Sequence, residues 1–409
     1  MHAATMVLNS SIATNSTINL RPSDEASRGR VLVVVREPLG GIRTYLLYNL
    51  RQLVCHGYEF TIIAPKSKPF ELFKRDFEDC SQVDFRETPA SSRQLIRTIA
   101  GELRSGNYDL VHSQGLRSGF NTAVANLISQ VPHILTLHDV IVPLNDIPGR
   151  LKWLKKRLIG RVTSRIDVII PVSHDCRDNH LEHFPEWQQG KCCVQVITNG
   201  IDIDRVVGGA ASHTNKNSLR EQFGIPCDAT LIGFFGRLTL QKGFPVLLDA
   251  MRLLARDNQY GKIHLAAVLD RASYGYKESW WDIVAHDELL APVVHFIDPV
   301  AEVAPLLAQV DVLAMPSLWE AYGLLAAEAM VLGIPVVGTD AIGLREVLMG
   351  TPALISSAGD SSELAAGILA ASSPEIQEQF KEHAQFARIR FQNDPSANLL
   401  LKTYKCLAG

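Results

Sequence analysis

Residues 311–340, DVLAMPSLWEAYGLLAAEAMVLGIPVVGTD, constrain the fold more than any other stretch of this chain. DVLAMPS is an apolar run closed by Pro316 and Ser317, and PVVGT is a second short β-branched run. Between them GLLAAEAMVLG is rich in strong helix formers and stops at Gly333, a common helix terminator. A strand, a crossover helix and a strand of this length imply parallel pairing. Two acids interrupt the apolar pattern: Glu320 in the loop before the helix, and Glu328 about one and a half turns inside it. A helix N-terminus at the carboxyl end of a parallel strand offers free N–H groups and a positive dipole end to an anion. The backbone near Tyr322, Gly323, Leu324 and Leu325 is thus placed to hold a phosphate, with two carboxylates beside it for hydroxyl groups.

The same rhythm runs along the whole chain. Apolar strands are expected at 31–35, 60–65, 83–85, 109–114, 133–139, 168–173 and 194–200, mostly separated by helical stretches. Small and polar residues from 201 to about 218 read as a linker. The pattern then restarts at 230–236, 263–270, 293–298, 311–317, 335–340 and 353–358. A βαβα rhythm in two blocks predicts an α/β protein of two Rossmann-like, doubly wound parallel-sheet domains, with ligands between the carboxyl ends of their strands. The division expected is a disordered lead over 1–29, a first domain over 30–202, a linker over 203–218 and a second domain over 219–393.

Glu320 and Glu328, set in E-A-Y-G-L-x-x-x-E-A-M-x-x-G-x-P-V-V after Pro316-Ser317, resemble the donor-site signature of the family-4 retaining glycosyltransferases. The resemblance covers roughly residues 31–405 and is most specific from 230 to 348. It implies the GT-B fold, with residues 394–409 crossing back to the first domain, and transfer of a sugar from a nucleotide diphosphate to an acceptor hydroxyl. It also implies retention at the anomeric carbon, with no metal, no cofactor and no protein nucleophile. Glu328 would then accept from the nucleotide ribose and Glu320 from the sugar, with Ala321, Tyr322 and Gly323 in the donor loop. FFGRLTLQKGF resembles the family's cationic loop. There Gly236 would free the backbone, and Arg237 and Lys242 would neutralise the leaving diphosphate.

In the first block, Gly40-Gly41 lies between a strand and a helix, where backbone can approach a ligand. It lacks the dinucleotide fingerprint, and the family often carries a Gly-rich loop here. His138 in T-L-H-D resembles the family's active-site histidine. Asp139 is expected to orient its ring or meet the acceptor, and His112 to shape the cleft. V-S-H-D reads as a helix N-cap, with Ser173 or Asp175 capping, and Asn199-Gly200-Ile201-Asp202 mainly as a hinge turn, both beside the cleft. The pattern also departs from the family. LDRASYGYKESWW replaces a Gly-rich turn after the strand at 263–270, Asp298 stands for a common Gly, and Tyr322 for the usual Phe.

Composition narrows the remaining choices. The chain has 409 residues, 20% of them charged and 46% apolar, as expected of a globular protein of two or three domains. The net charge of −3 hides an asymmetry: residues 1–200 hold 24 basic against 19 acidic side chains, the rest 16 against 24. No basic-aromatic stripe suits nucleic acid. The seven cysteines show no zinc spacing and read as reduced, cytosolic thiols, and no apolar run could span a bilayer. The lead has no apolar signal core, so its two glycosylation sequons, at Asn9 and Asn15, read as chance. Glycoside hydrolysis needs two carboxylates facing across one bond, whereas Glu320 and Glu328 flank a phosphate site. Epimerisation or phosphorolysis of the same donor, or donor sensing without transfer, remain the alternatives. One stretch falls outside all of this: residues 150–165 hold seven basic groups and no acid, with Leu151, Leu154, Leu158, Ile159 and Val162 on one helical face and Trp153 at its edge. It reads as a surface helix with a core stripe, or as a face for anionic lipid or a lipid-linked acceptor.

Overall fold

The computed structural model describes residues 29–89, 91–142, 149–212, 218–256, 262–269 and 280–408. The lead over 1–28, with both sequons, lies outside them, as does most of the departing stretch, at 270–279. The first sheet contains Gly29–Val35 (β1), Tyr58–Pro65 (β2), Val83–Thr88 (β3), Leu110–Gln114 (β4), His133–Leu137 (β5), Val168–Pro171 (β6) and Cys193–Val194 (β7), in the order β3-β2-β1-β4-β5-β6-β7. The second contains Thr230–Phe234 (β8), Ile263–Val268 (β9), Val294–Ile297 (β10), Val312–Met315 (β11), Val336–Thr339 (β12) and Leu354–Ser356 (β13), ordered β10-β9-β8-β11-β12-β13. Every pairing in both sheets is parallel.

Burial on both faces explains the unbroken apolar strands. Residues 31–35 of β1 are wholly buried, with Val33 level with Ile62 on one side and His112 on the other. Each such aliphatic side chain contributes about 1.5–3 kcal/mol by leaving water. The helix Gly41–Cys55 lays Leu46, Leu50 and Leu53 against this sheet at helical spacing. Among the described residues β7 is shorter than expected. The chain nonetheless keeps pace with β6, because the N–H groups of Gln195 and Ile197 donate to the carbonyls of Ile169 and Pro171.

The stretch expected as linker carries a helix, Ile203–Ser212, with Val206 and Ala210 buried. Its small residues give it an apolar side that packs on the Ala304–Leu307 turn. The last helix, Asp394–Ala408, lies on the first domain against the helix Gly41–Cys55 and β4. Tyr404 is fully buried there, edge-on to Tyr58, with its hydroxyl 2.7 Å from His112 Nδ1. His112 Nε2 in turn meets Thr136 Oγ1 at 2.7 Å, so this histidine holds the last helix to the sheet and does not line the cleft. The two chain crossings between the domains run side by side. Ile201 N–H donates to the Phe391 carbonyl and Asn393 N–H to that of Ile201. Gly200 makes this approach possible, because a methyl there would sit 2.4 Å from Asn393 Cα.

Winding reverses between β1 and β4 in the first sheet and between β8 and β11 in the second. Such switch points leave a crevice outside the carboxyl ends of the strands. The loops that follow β1, β8 and β11 are the ones that build the site.

Candidate active site

The β8 loop and the β11 loop are stitched together before any ligand is considered. Leu318 N–H donates to the Gln241 carbonyl at 2.8 Å, and Gln241 Nε2 reaches the Trp319 carbonyl at 3.4 Å. Gly243 lets them touch: its φ is +69°, and a methyl on it would lie 1.7 Å from the Pro316 carbonyl oxygen. By contrast, Gly236 needs no left-handed backbone, and a methyl there would meet Lys242 at an ordinary 3.6 Å. The glycine that fixes this loop is therefore Gly243, not Gly236.

This stitching presents two cations beside one carboxylate. Glu320 is 7% exposed, accepts from Ser317 Oγ at 2.9 Å and forms an ion pair with Lys242 Nζ. Ser317 is held in turn by Thr339, whose hydroxyl donates to the Ser317 carbonyl at 2.6 Å. Arg237 is exposed and leans on Gln241 Oε1 at 3.2 Å. Beyond Glu320 the backbone turns through Gly323, in the left-handed conformation, into the helix Leu324–Val331. The N–H groups of Gly323, Leu324 and Leu325 have no loop or turn acceptor among the described residues. They lie in the first turn, where the helix supplies none. Glu328 follows on the same helix, with no ion pair among the described residues, and burial pushes its carboxyl up to about 7.

The first domain supplies the facing wall. Gly40 opens the helix Gly41–Cys55 at φ 54°, ψ −131°, and a methyl on Gly41 would touch Leu324 Cδ1 at 3.8 Å. His138 directly follows β5, with Nε2 donating to Gln114 Oε1 at 2.7 Å and its ring edge-on to Tyr45 at 4.7 Å. Gln114, not Asp139, orients the imidazole, and burial drives its pKa down to about 3, so it is neutral at working pH. Asn199 also lines the wall, 7% exposed, and its Oδ1 is buried with no hydrogen-bond partner among the described residues. The sequence motif marks it mainly as part of a hinge turn beside the cleft; its place on the wall depends on where the crossing passes.

Contacts across the cleft tie this wall to the β11 loop. Ser173 caps the helix His174–His183 by accepting from Cys176 N–H, and donates to the Ala321 carbonyl at 2.6 Å. Asp175 leaves the cap alone, taking Arg345 in a bidentate pair at 2.7 and 2.8 Å and the Gly343 N–H at 2.8 Å. Between the two walls lies one cavity of about 400 Å³. All twelve residues singled out for the site line it, from Gly41 and His138 through the Arg237–Lys242 loop to Glu320 and Glu328.

Comparison with known proteins accords with this geometry. The family model described as glycosyltransferase family 4 matches residues 39–205, and that described as glycosyl transferases group 1 matches 229–373. A Catenulispora acidiphila protein named D-inositol 3-phosphate glycosyltransferase 2 is 30% identical over 86% of this chain and 86% of its own. The chain belongs to the family-4 glycosyltransferases. A Mycolicibacterium smegmatis family relative named alpha-maltose-1-phosphate synthase is 27% identical over 58% of this chain and 61% of its own. Among solved structures, Anabaena HepE in complex with UDP-glucose superposes on this glycosyltransferase with a TM-score of 0.76, covering 93% of this chain and 100% of that one at 20% identity. Sucrose-phosphate synthase from Thermosynechococcus elongatus gives 0.69 over 92% and 98% at 18% identity. Both likenesses confirm the GT-B fold.

Proposed function

We propose that this glycosyltransferase moves a hexose from a nucleotide-diphosphate sugar to an acceptor hydroxyl with retention at the anomeric carbon and without a metal ion. The reading is carried by one observation: a helix N-terminus with free N–H groups, two cations and two carboxylates share a single cavity at the switch point. The N–H groups of residues 323–325 hold the diphosphate, while Arg237 and Lys242 neutralise the charge that develops on it as the sugar leaves. Each such cation is worth about 10²–10³ in turnover. Glu328 accepts from the ribose hydroxyls. Glu320, freed in part as Lys242 turns to the phosphate, accepts from the sugar.

We assign no side chain among the described residues as a nucleophile. Glu320 stays held by Ser317 when Lys242 turns to the phosphate and is taken up by the sugar hydroxyl, and the neutral His138 is fixed by Gln114 with Nδ1 left to accept from the sugar. In the step proposed, the acceptor oxygen bonds to the anomeric carbon on the face from which the diphosphate departs. The carbon–oxygen bond to phosphate breaks, and a phosphate oxygen takes the acceptor proton. The acceptor, a glycan or lipid-linked hydroxyl, enters along the wall carrying Gly41, His138 and Asn199.

The UDP-glucose of Anabaena HepE makes that donor the first to try. Thermal shift against UDP-, GDP- and ADP-sugars, with Arg237→Ala and Glu328→Ala in parallel, tests the site. A donor that raises the midpoint of the wild type alone supports the reading, since a ligand of the folded state must stabilise it. No response from folded protein across the panel rejects the donor site. An inverted anomeric signal in the product NMR spectrum rejects retention.

A further inference from the structure

The helix Gly149–Thr163 does not line the cleft, and its outward face is both apolar and basic. Its inner side is accounted for. Gly160 and Thr163 are buried, Ile159 and Val162 are half-buried, and Thr163 Oγ1 accepts from Trp187 Nε1 at 2.9 Å. The outer side is not. Trp153, Leu154 and Leu158 are 56%, 55% and 57% exposed, so the leucines do not belong to a core stripe. At about 100° per residue, Trp153, Arg157, Arg161, Leu154 and Leu158 fill one arc roughly 140° wide. The Arg157 guanidinium lies over the Trp153 ring at 5.2 Å. Residues 150–165 carry seven basic side chains and no acidic one.

Large apolar side chains held in water and interleaved with arginine match the interface of an anionic bilayer: rings and leucines enter the headgroup boundary while guanidinium groups meet lipid phosphates. A protein partner would require a matching acidic, apolar groove. A bilayer requires only negative charge, which this acid-free stretch complements throughout. The helix follows β5, so its first turn lies toward the carboxyl end of that strand, where His138 faces the cleft.

We propose that the face formed by Trp153, Leu154, Arg157, Leu158 and Arg161 docks this protein on anionic membrane lipid with the cleft mouth toward the bilayer. The docking does not depend on what the acceptor is, so its test uses no turnover. The full chain is sedimented with vesicles of phosphatidylcholine alone and of phosphatidylcholine mixed with phosphatidylglycerol. The wild type pellets with the mixed vesicles only, and less as salt is raised. Arg157→Ala with Arg161→Ala lowers partitioning about 30-fold. Trp153→Ser with Leu154→Ser and Leu158→Ser abolishes the fraction that survives salt. Both variants keep the wild-type melting midpoint, because the face is exposed.

Wild type that stays in the supernatant overturns the proposal, as do variants that pellet like wild type. A dimer in solution that the triple serine variant disperses, without vesicle binding, overturns it in favour of contact between copies.

Discussion

Glu328 carries its carboxyl in a setting that resists charge, and this has a sign. Burial raises its folded-state pKa to about 7 from an ordinary value of 4.5. The unfolded chain therefore loses this proton first as pH rises, and stability falls between about pH 4.5 and 7 and then stays lower. Glu328→Gln should raise the urea midpoint at pH 8 and leave it nearly unchanged at pH 4.5, a gain on the order of 2 kcal/mol. The same titration would govern the proposed ribose contact, which needs the carboxylate. Donor affinity of the wild type should weaken as pH falls below about 7, and the variant should bind weakly at every pH. A flat wild-type affinity profile would remove Glu328 from the ribose. Lys242 and Glu320 make a second residue-scale case. Lys242→Met leaves a carboxylate buried without its partner and should cost about 3 kcal/mol in urea unfolding. Adding Glu320→Gln should restore most of that stability and none of the turnover. If the single variant proves as stable as wild type, the pair is not what holds the loop.

At the scale of elements, the two loops after β8 and β11 act as one piece. Gly243→Ala should show this, since its methyl would meet the Pro316 carbonyl oxygen at 1.7 Å and its backbone is left-handed. A loss of several kcal/mol, or turnover near zero in whatever folds, is expected. Wild-type melting and turnover in that variant would show that the loops move independently. The same pair of loops shows what was legible beforehand. Strand–loop–helix units can be read from apolar periodicity and helix stops, whereas the expectation that His138, Arg237 and Lys242 line the cavity rests on resemblance to the family-4 signature. Partners between loops cannot be read this way, because Gln241 with Leu318, or Gln114 with His138, meet only once the sheet sets the spacing. The helix Ile203–Ser212 was hidden by its glycines and alanines, whose apolar side has meaning only against a neighbour. Local pattern assigns elements, and tertiary contact assigns their companions.

For the whole molecule, what matters is how the two domains are joined. The crossings at Gly200-Ile201 and Gln392-Asn393 lie against each other, so rotation between the domains passes through one narrow place. Farther out, the Asp175–Arg345 pair and the Ser173–Ala321 bond hold the walls at their present separation. Gly200→Ala forces the crossings apart without touching the loops after β8 and β11. Donor binding by calorimetry should therefore persist while kcat falls about 100-fold, the usual cost of misplacing reacting groups by an ångström. Equal losses in binding and kcat would mean that the crossing supports the donor site itself.

The crossings also set a timetable for synthesis. His112, Tyr58 and the first sheet receive Tyr404 from a helix that leaves the ribosome after the entire second domain. While residues 219–391 are being made, the first domain waits with a gap in its core. The later-made half can fold first, and the earlier-made half is sealed last. A chain that ends at residue 393 and has cleared the ribosome should therefore be cut by protease in its first half while its second half resists.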